Sequence, residues 1–498
     1  MLLFNLNSLK TTKKSKLLIT IIITISLTSI KSTSNNNENI TFVFELCRNG
    51  ARTPYSGLNS NFKDYFSEKW IGIKELTPIG IKQHFNLGLR NRLRYMDSLY
   101  PWLNKKFDPR EILVYSTNSN RSIVSANAQL QGLYLMNDSE ANIEPLNDNQ
   151  IKNSNPPDFD KSNFEEEIKE LGKYSLPFKM TIVPIHLLYS EDHVIQIQDE
   201  KNCEKLKDKY KERKNRNDLK IFLEKLDHNY SDLIYPIIKE NLDCERINEK
   251  KLFSSNYSLT YYILDQIICQ YWNGKSMKNI NDSFINNENK LTLENLIKDA
   301  IEFFKFDFLS NATGIDEEIG LYTLSPVMEM LINYMNKRVE KDINNETEGF
   351  DIPKFLLISA HDSTLGGLEA FFKSIDKDFE LNYAYFASNI FIELFNNKTY
   401  NNNDDSNEKK YTKSDYYVRI LFDEKIIKEY KYEDFYKLIK NNIKNKFEIA
   451  DFCGYNAEEV QFESGFDFYL VSTIILICLT LVLIMILINL YLKKDKIN

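Results

Sequence analysis

Three segments of the sequence repeat one order, an apolar strand, a polar loop and an amphipathic helix, and this order limits the folds open to the chain. Residues 41–47, 111–115 and 355–358 are short β-rich apolar runs, and each ends abruptly in polar residues. Strands that alternate with helices predict an α/β fold whose mostly parallel sheet is covered by helices on both faces. A ligand site is then expected beyond the carboxyl ends of the strands, where the three polar loops lie.

Residues 155–308 differ in character, because they are highly charged, helical in period and poor in β-like runs. We therefore expect an inserted, mainly helical cap lobe over residues 155–308 and a Rossmann-like α/β domain built from residues 33–154 and 309–460. The size of the chain agrees, since roughly 430 residues exceed what one simple core usually holds. Residues 401–410, rich in Asn and Asp, predict a flexible hairpin loop between two strands.

Each end of the chain carries a hydrophobic segment typical of membrane targeting. Several lysines precede an apolar run near the N-terminus, so residues 1–32 are predicted to be a signal peptide, with an uncleaved signal anchor as the alternative. Residues 468–492 contain no charge and have the length of a transmembrane helix. Lysines follow this helix and acidic residues precede it, so residues 493–498 are expected in the cytoplasm, with residues 461–467 as a stalk. The sequence thus predicts a single-pass type I membrane protein of the secretory pathway, at the cell surface or in endolysosomes.

Composition and short motifs agree with a lumenal or extracellular N-terminal domain. Asn-x-Ser/Thr glycosylation sequons lie at Asn39, Asn137, Asn229, Asn256, Asn281, Asn311, Asn345 and Asn397. The net charge of -8 is mildly acidic, and acidic residues interleave with the basic clusters, which argues against nucleic acid as a partner. We expect no metal and no cofactor.

Arginines lie in two of the polar loops, and a His-Asp pair lies in the third. Arg48 and Arg52 follow the first strand, Arg121 follows the second, and His361-Asp362 follow the third. Guanidinium groups are flat, permanently charged forks that contact two phosphoryl oxygens at once. Three arginines at neighbouring strand ends therefore predict a site for a phosphomonoester or another small anion.

These motifs resemble the histidine acid phosphatases, in the branch that contains the lysosomal and prostatic enzymes. The signature of that family, Arg-His-Gly-x-Arg-x-Pro, is matched at Arg48, Gly50, Arg52 and Pro54, and its later His-Asp motif at His361-Asp362. Further matching residues are Leu76-Thr77-Pro78, Gly80, Gln83, Leu87-Gly88, Ser116-Thr117, Arg121, Ser125-Ala126 and Val183-Pro184-Ile185-His186. The resemblance extends over nearly the whole segment between the two hydrophobic ends.

The resemblance implies a role for each residue of the loops. Arg48, Arg52, Arg121 and His361 would bind phosphate, and Asp362 would protonate the leaving oxygen. Capping of the following helix is an alternative role for Asp362, and both roles are geometrically compatible. Dimerisation is common in this family, so a homodimer is also implied.

Asn49 occupies the position at which the resembled family has its nucleophilic histidine. The lone pair of an amide nitrogen is delocalised into the carbonyl, so Asn49 cannot replace a neutral imidazole as nucleophile. Among substitutes, Cys47 lies in a predicted buried strand, and its spacing to Arg52 does not fit the Cys-x5-Arg phosphatases. His84 is expected to face the site, but its counterpart in the family is not a nucleophile.

The resemblance also implies a disulfide between Cys203 and Cys453. Asn389 stands where the family has another disulfide cysteine. Cys244 would then pair with Cys269 or stay free.

Three functions remain open at the level of sequence. The first is a membrane-anchored, acid-phosphatase-like ectodomain that binds phosphomonoesters and has lost most or all hydrolysis. The second is an active acid phosphatase that uses water attack or a substitute nucleophile. The third is a surface receptor or adhesion protein on an inherited phosphatase fold.

Overall fold

The computed structural model describes most of the segment between the two hydrophobic ends of the chain. The described residues are 38–55, 70, 72–98, 101–135, 144–154, 156, 162, 165–188, 203–239, 249–275, 291–308, 315–344, 352–397 and 411–454. The predicted signal peptide, hairpin loop, stalk, transmembrane helix and cytoplasmic tail lie outside these ranges. Within the described ranges, no helix combines the length and the apolar character needed to cross a bilayer.

A single seven-stranded sheet forms the centre of the described α/β fold. The strands are β1 (Glu38–Arg48), β2 (Ile112–Thr117), β3 (His186–Leu188), β4 (Phe355–Ala360), β5 (Asn389–Asn397), β6 (Tyr416–Phe422) and β7 (Lys425–Lys431). Their order across the sheet is β3-β2-β4-β1-β5-β6-β7.

The prediction of a mostly parallel sheet is correct for one half of it only, so the sheet is mixed. Strands β3, β2, β4 and β1 are parallel neighbours, whereas β5, β6 and β7 are added as antiparallel strands. The reason lies in the connections, because only parallel neighbours need a long crossover. Strands β6 and β7 are joined by Asp423 and Glu424 alone, with φ angles of 44° and 73°, as a two-residue hairpin turn requires.

Helices cover both faces of the sheet, as predicted. In chain order the helices are α1 (Pro78–Tyr95), α2 (Asn120–Leu133), α3 (Asp148–Lys152), α4 (Glu165–Leu171), α5 (Glu204–Lys214), α6 (Asn217–Lys239), α7 (Tyr257–Trp272), α8 (Leu293–Phe308), α9 (Ile315–Asn344), α10 (Asp362–Ile375), α11 (Tyr432–Asn442) and α12 (Lys446–Cys453). Short 3₁₀ turns occur at Pro177–Lys179, Glu249–Lys251 and Lys413–Asp415.

Alternation along β1 shows how the two faces are divided. Phe42, Phe44 and Leu46 pack into the core formed with α9 to α11. Val43 and Cys47 point the other way, into the core beneath α1 and α2. The period-2 pattern of β1 thus buries the strand on both faces, which explains its continuous apolar sequence.

The helices α6, α7 and α8 form a separate hydrophobic cluster that includes Leu226, Ile267 and Phe303. Ala51 and Phe386, which belong to the α/β part of the fold, pack into this same cluster. The range predicted for the cap lobe also contains β3, and β3 pairs with β2 at the edge of the main sheet. That part of residues 155–308 therefore belongs to the sheet and not to the helical cluster.

The cysteines follow the implied pairing where they are described. Cys203 and Cys453 form a disulfide across a sequence separation of 250 residues. Cys47 and Cys269 are free and buried, and Cys244 lies outside the described residues. Asn389 instead donates its side-chain N–H to the buried Glu45 at 2.7 Å.

Candidate functional site

The carboxyl ends of β1, β2 and β4 lie side by side, and their loops meet there. Arg48 at the end of β1 is in register with Ala360 at the end of β4, and Ser116 near the end of β2 is in register with Ser359. Arg48 is the last residue of β1, and the other five candidate residues follow the three strand ends. The fold therefore brings the candidate residues together at the sheet edge where the strand–loop–helix pattern predicts them.

The backbone of the first loop is held from several sides. Asn49 N–H donates to Ala360 O at 3.0 Å, and Gly50 N–H donates to Ser125 Oγ at 3.2 Å. A Cβ on Gly50 would lie within 2.8 Å of three backbone atoms of Gly80, the third residue of α1. Only glycine permits this close approach between the loop and the helix.

Arg48 is buried and paired with a carboxylate. Its Nη2 lies 2.7 Å from Asp362 Oδ2, and its Nη1 donates to Ala384 O at 2.6 Å. The guanidinium lies 4.3 Å from the centre of the Phe386 ring. Two different elements, β1 and α10, thus position one ion pair.

Arg52 is paired in the same way, but its partner comes from the helical cluster. Both carboxylate oxygens of Asp265 of α7 accept from Arg52, Oδ1 from Nη2 at 2.7 Å and Oδ2 from Nη1 at 3.2 Å. This bidentate contact is almost fully buried. The thiol of Cys269 lies 3.4 Å from the same Nη1, and Asn273 donates to Arg52 O at 3.2 Å. Asp265 also accepts the backbone N–H of Tyr55 at 2.8 Å.

Arg121 differs from the two loop arginines, because no described carboxylate forms an ion pair with it. Its Nη2 lies 3.3 Å from both Tyr55 Oη and His361 Nδ1. Its Nε is buried without a hydrogen-bond partner among the described residues. A buried cationic N–H of this kind favours an external acceptor.

Asn49 and His361 are neighbours at the centre of the site. Asn49 Oδ1 lies 3.3 Å from His361 Nδ1, while Asn49 Nδ2 donates to Gly50 O at 2.9 Å. His361 Nε2 lies 3.2 Å from Thr117 Oγ1. Asn49 Oδ1 can accept from a proton on Nδ1, whereas Arg121 Nη2, which can only donate, lies 3.3 Å from the same nitrogen, so these two contacts suit opposite tautomers of the ring.

The charges around the site fix the protonation of His361 and Asp362. Burial and the nearby charge of Arg121 lower the pKa of His361 to about 3, so the imidazole is neutral. Burial alone would raise the pKa of Asp362, but the guanidiniums of Arg48 and Arg52 outweigh burial and lower it. Asp362 is therefore ionised in the unliganded site.

Two other sequence candidates lie behind the site. His84 is completely buried under the first loop, with Nε2 3.1 Å from Arg48 O and Nδ1 3.1 Å from Gln129 Oε1. It supports the loop from below. Cys47 points into the core under α1 and α2, and burial together with Glu45 raises the pKa of its thiol well above the ordinary value. A neutral thiol in that position is not a substitute nucleophile.

Sequence reasoning missed Asp265, Tyr55 and Lys74. The Tyr55 ring lies 4.1 Å from the Arg52 guanidinium and 4.7 Å from Lys74 Nζ. Tyr55 follows directly on the arginine motif, which is a usable local signal. For Asp265 there is none, because it lies 213 residues from its partner Arg52.

The arrangement has the electrostatics of an anion site. Four cations, Arg48, Arg52, Arg121 and Lys74, lie around two paired carboxylates. The three guanidiniums alone exceed the two carboxylates by one positive charge, which favours an anion, and Lys74 at the edge of the cluster adds a second. A dianion here would meet forked guanidinium donors. Among the described residues, no group of His, Cys, Asp and Glu is arranged to hold a metal ion.

Comparison with known proteins gives matches to phosphatases. The family model described as "Histidine phosphatase superfamily (branch 2)" matches residues 8–423. The lysosomal acid phosphatase of Xenopus laevis is 37% identical over 94 residues, which cover 19% of this chain and 20% of that protein. Lysophosphatidic acid phosphatase type 6 of Homo sapiens is 33% identical over 85 residues, covering 17% of this chain and 20% of that protein. The matched stretches thus span only 20% of the length of either relative.

The chain also aligns with solved structures, each at low sequence identity. The phytase from Citrobacter braakii aligns with a TM-score of 0.48 at 12% identity, over 82% of this chain and 98% of that one. The multiple inositol polyphosphate phosphatase of Bifidobacterium longum, in complex with phosphate, aligns with a TM-score of 0.44 at 14% identity, over 84% of this chain and 96% of that one.

Proposed function

Because this chain belongs to the histidine phosphatase superfamily (branch 2), we propose that its site binds the phosphoryl group of phosphomonoesters. The proposal has a second part, that hydrolysis is lost or strongly impaired. The lysosomal acid phosphatases among its relatives indicate the substrate class, a general phosphomonoester.

Phosphoryl binding is supported above all by Arg121. Its buried Nε lacks an acceptor within the described part of the chain, next to a neutral histidine and two further guanidiniums. A phosphoryl oxygen would supply that acceptor, and its charge would offset the mutual repulsion of the cations. Clustered guanidiniums in a water-poor site bind an anion more strongly than they would at an exposed surface.

Impaired hydrolysis follows from Asn49. In the proposed mode of action, the arginines orient the ester, but the amide of Asn49 offers no nucleophilic nitrogen to attack phosphorus. His361 is near enough to contact a ligand, yet its ring is held by Asn49 and Thr117. Loss of the central member of a catalytic unit leaves a rate acceleration of about 10³ to 10⁴ over the uncatalysed reaction in water. Phosphomonoester hydrolysis needs accelerations up to roughly 10²¹.

Asp362 would be the proton donor, and its charge state adds a second condition. It is ionised in the free site, so it must gain a proton before it can give one to a leaving oxygen. A bound phosphate dianion raises the pKa of a nearby carboxylate. Ligand binding and proton uptake by Asp362 are therefore coupled in this proposal.

The decisive experiment compares the full-length chain in detergent micelles with Asn49→His and Arg121→Gln. Arg121 is chosen because an Arg52 variant would leave Asp265 buried without its cation. We expect inorganic phosphate to bind the unmodified chain and Asn49→His, and to bind Arg121→Gln at least about tenfold more weakly. Hydrolysis of p-nitrophenyl phosphate at pH 5 should rise by about 10² to 10⁴ in Asn49→His alone.

Two results would contradict the proposal. Turnover by the unmodified chain well above that of Arg121→Gln would show an active phosphatase with another route to phosphorus. Absence of phosphate binding in all three proteins would leave the receptor or adhesion function.

We also propose that the phosphatase-like domain is lumenal or extracellular and anchored by residues 468–492. The charge pattern of these residues and the apolar run within residues 1–32 support this topology. The Cys203–Cys453 disulfide is typical of an oxidising compartment, and the sequon residue Asn256 is exposed. Glycosylation at Asn256 is part of the same proposal.

A further inference from the structure

We infer that Lys74 gives the site a second anion-binding position, so that its preferred ligands are phosphomonoesters that carry a further acidic group. The inference rests on the proposed binding of a phosphoryl group by the arginines. It concerns the part of the ligand that lies outside the arginine cluster.

Tyr55 connects Lys74 to that cluster. Three cations surround its ring, with the Arg52 guanidinium at 4.1 Å, Lys74 Nζ at 4.7 Å and the Arg121 guanidinium at 5.7 Å from the ring centre. The Tyr55 hydroxyl lies 3.3 Å from Arg121 Nη2. The ammonium of Lys74 is thus one aromatic ring away from two of the phosphate-binding arginines.

The backbone holds Lys74 against the first loop. Lys74 N–H donates to Pro54 O at 3.2 Å, and Thr53 N–H donates to Glu75 O at 2.8 Å. Glu75 N–H in turn donates a hydrogen bond to Thr53 Oγ1 at 2.9 Å. Lys74 itself has a φ of 60°, a left-handed conformation that is unfavourable for a residue with a Cβ. Such strain is found where side-chain position matters for a ligand.

Lys74 also lacks a carboxylate of its own in the described structure. Its neighbour Glu75 instead accepts from Asn120 Nδ2 at 3.0 Å. Partial burial and the charges of Arg121 and Arg52 lower the pKa of Lys74. An acidic group of the ligand placed beside Lys74 would stabilise the charged ammonium and so oppose the repulsion from the two arginines.

The two kinds of cation suit different tasks. Guanidinium forks fix the geometry of a phosphoryl group, whereas the ammonium of lysine is a point charge on a flexible stem. Lys74 is an exposed residue at the rim, so its stem can follow ligands of different length. We therefore expect a preference for a second acidic group with tolerance for the spacer between the two groups.

Two pairs of compounds test this with the full-length chain by titration calorimetry. Each pair differs by one carboxylate in place of a CH2OH group: glycerol 3-phosphate against 3-phosphoglycerate, and glucitol 6-phosphate against 6-phosphogluconate. The unmodified chain should bind the carboxylate member of at least one pair about three- to tenfold more tightly. Lys74→Gln should bind both members of that pair equally and still bind glycerol 3-phosphate. Lys220→Gln, an exposed lysine of α6 with the same change of charge, should keep the preference.

The possible failures are distinguishable. Equal affinity within both pairs for the unmodified chain would overturn the inference and leave phosphoryl binding intact. A preference that survives in Lys74→Gln would show that another group binds the second acid. Failure of all four compounds to bind would instead overturn the proposed function.

Discussion

The ring of His361 lies where the three loops meet, and its neutrality depends on all of them. Thr117 and Asn49 lie at hydrogen-bonding distance from its two nitrogens, and Arg121 lies against the ring. A cation at this point would face Arg48, Arg52 and Arg121 at short range. The fold therefore disfavours a second proton on the His361 ring unless an anion binds in the site.

This exclusion predicts a loss of stability in acid. The pKa of His361 is about 3 in the folded chain and about 6.5 in the unfolded chain, so only the unfolded chain takes up this proton between these values. The free energy of unfolding falls as the pH drops below about 6.5, and at pH 4.5 the loss caused by His361 is about 2.7 kcal/mol. His361→Asn should therefore lose less stability than the unmodified chain in urea unfolding at pH 7 and pH 4.5, without phosphate.

The control for this experiment is His228→Asn, because His228 is exposed on α6. Its pH dependence should follow that of the unmodified chain. An equal loss of stability between pH 7 and pH 4.5 in His361→Asn and the unmodified chain would contradict a neutral, water-poor His361.

At the same scale, the sequence predicted the residues of the site better than their partners. Arg48, Arg121 and His361 belong to motifs that follow strand ends, so neighbouring strands bring them together. Asp265 could not be predicted, because its contact with Arg52 depends on how α7 packs on the first loop. The residue pattern of a helix shows which face is buried, but it does not show which distant residue forms an ion pair with a side chain on that face.

Among the elements, α1 and α2 determine how far apart the halves of the site lie. Helix α1 carries Gln83, whose Oε1 accepts the N–H of Ala51 at 2.8 Å, and α2 begins next to Arg121. The two helices are in close contact through Gly88 and Gly132. Their separation therefore sets the distance between the first loop and Arg121.

Gly88→Ala is predicted to force these helices apart. A Cβ at Gly88 would collide with Gln129 O and lie 2.7 Å from Leu133 N and 2.8 Å from Gly132 Cα. Because all three are atoms of the helix backbone, the cost should be about 2 to 4 kcal/mol in the free energy of unfolding. Phosphate affinity should fall as well, since Arg121 moves with α2.

Gly172→Ala is a suitable control, because nothing lies within 4 Å of its Cβ and only its φ of 61° opposes a side chain. That substitution should cost about 1 to 2 kcal/mol and leave phosphate affinity unchanged. If Gly88→Ala were no more destabilising than Gly172→Ala, the helices would not be in the contact described.

The elements show the same limit on prediction as the residues. The parallel half of the sheet follows from strand–loop–helix units, each with a helical crossover. Strands β5 to β7 are equally β-rich, but their pattern does not record their antiparallel direction. For β6 and β7, that direction follows from the short turn at Asp423 and Glu424. Strand β3 is only three residues long, so its pattern could not distinguish it from a loop.

In the described part of the molecule, an ion pair and a disulfide each connect segments that lie far apart in the chain. Asp265 of α7 pairs with Arg52, and Cys203, directly before α5, is bonded to Cys453 at the end of α12. The first link belongs to the site itself. The second lies in the core formed with α9 to α12, so it stabilises the fold without contacting the arginines.

The disulfide makes the proposed topology testable as a property of the folded chain. With residues 1–32 present, the domain should enter an oxidising compartment and the bond should form. Without them, the thiols should stay reduced, and a loop of 250 residues should remain open, at a cost of about 4 to 5 kcal/mol in the free energy of unfolding. Thiol labelling would measure whether the disulfide forms, and protease protection of microsomes would measure whether the domain is lumenal, for the full chain and for the chain lacking residues 1–32.

The variant that combines Cys203→Ser with Cys453→Ser gives the reference that lacks the disulfide. A disulfide in the truncated chain, or a digestible domain in sealed microsomes from the full chain, would contradict a lumenal, membrane-anchored domain.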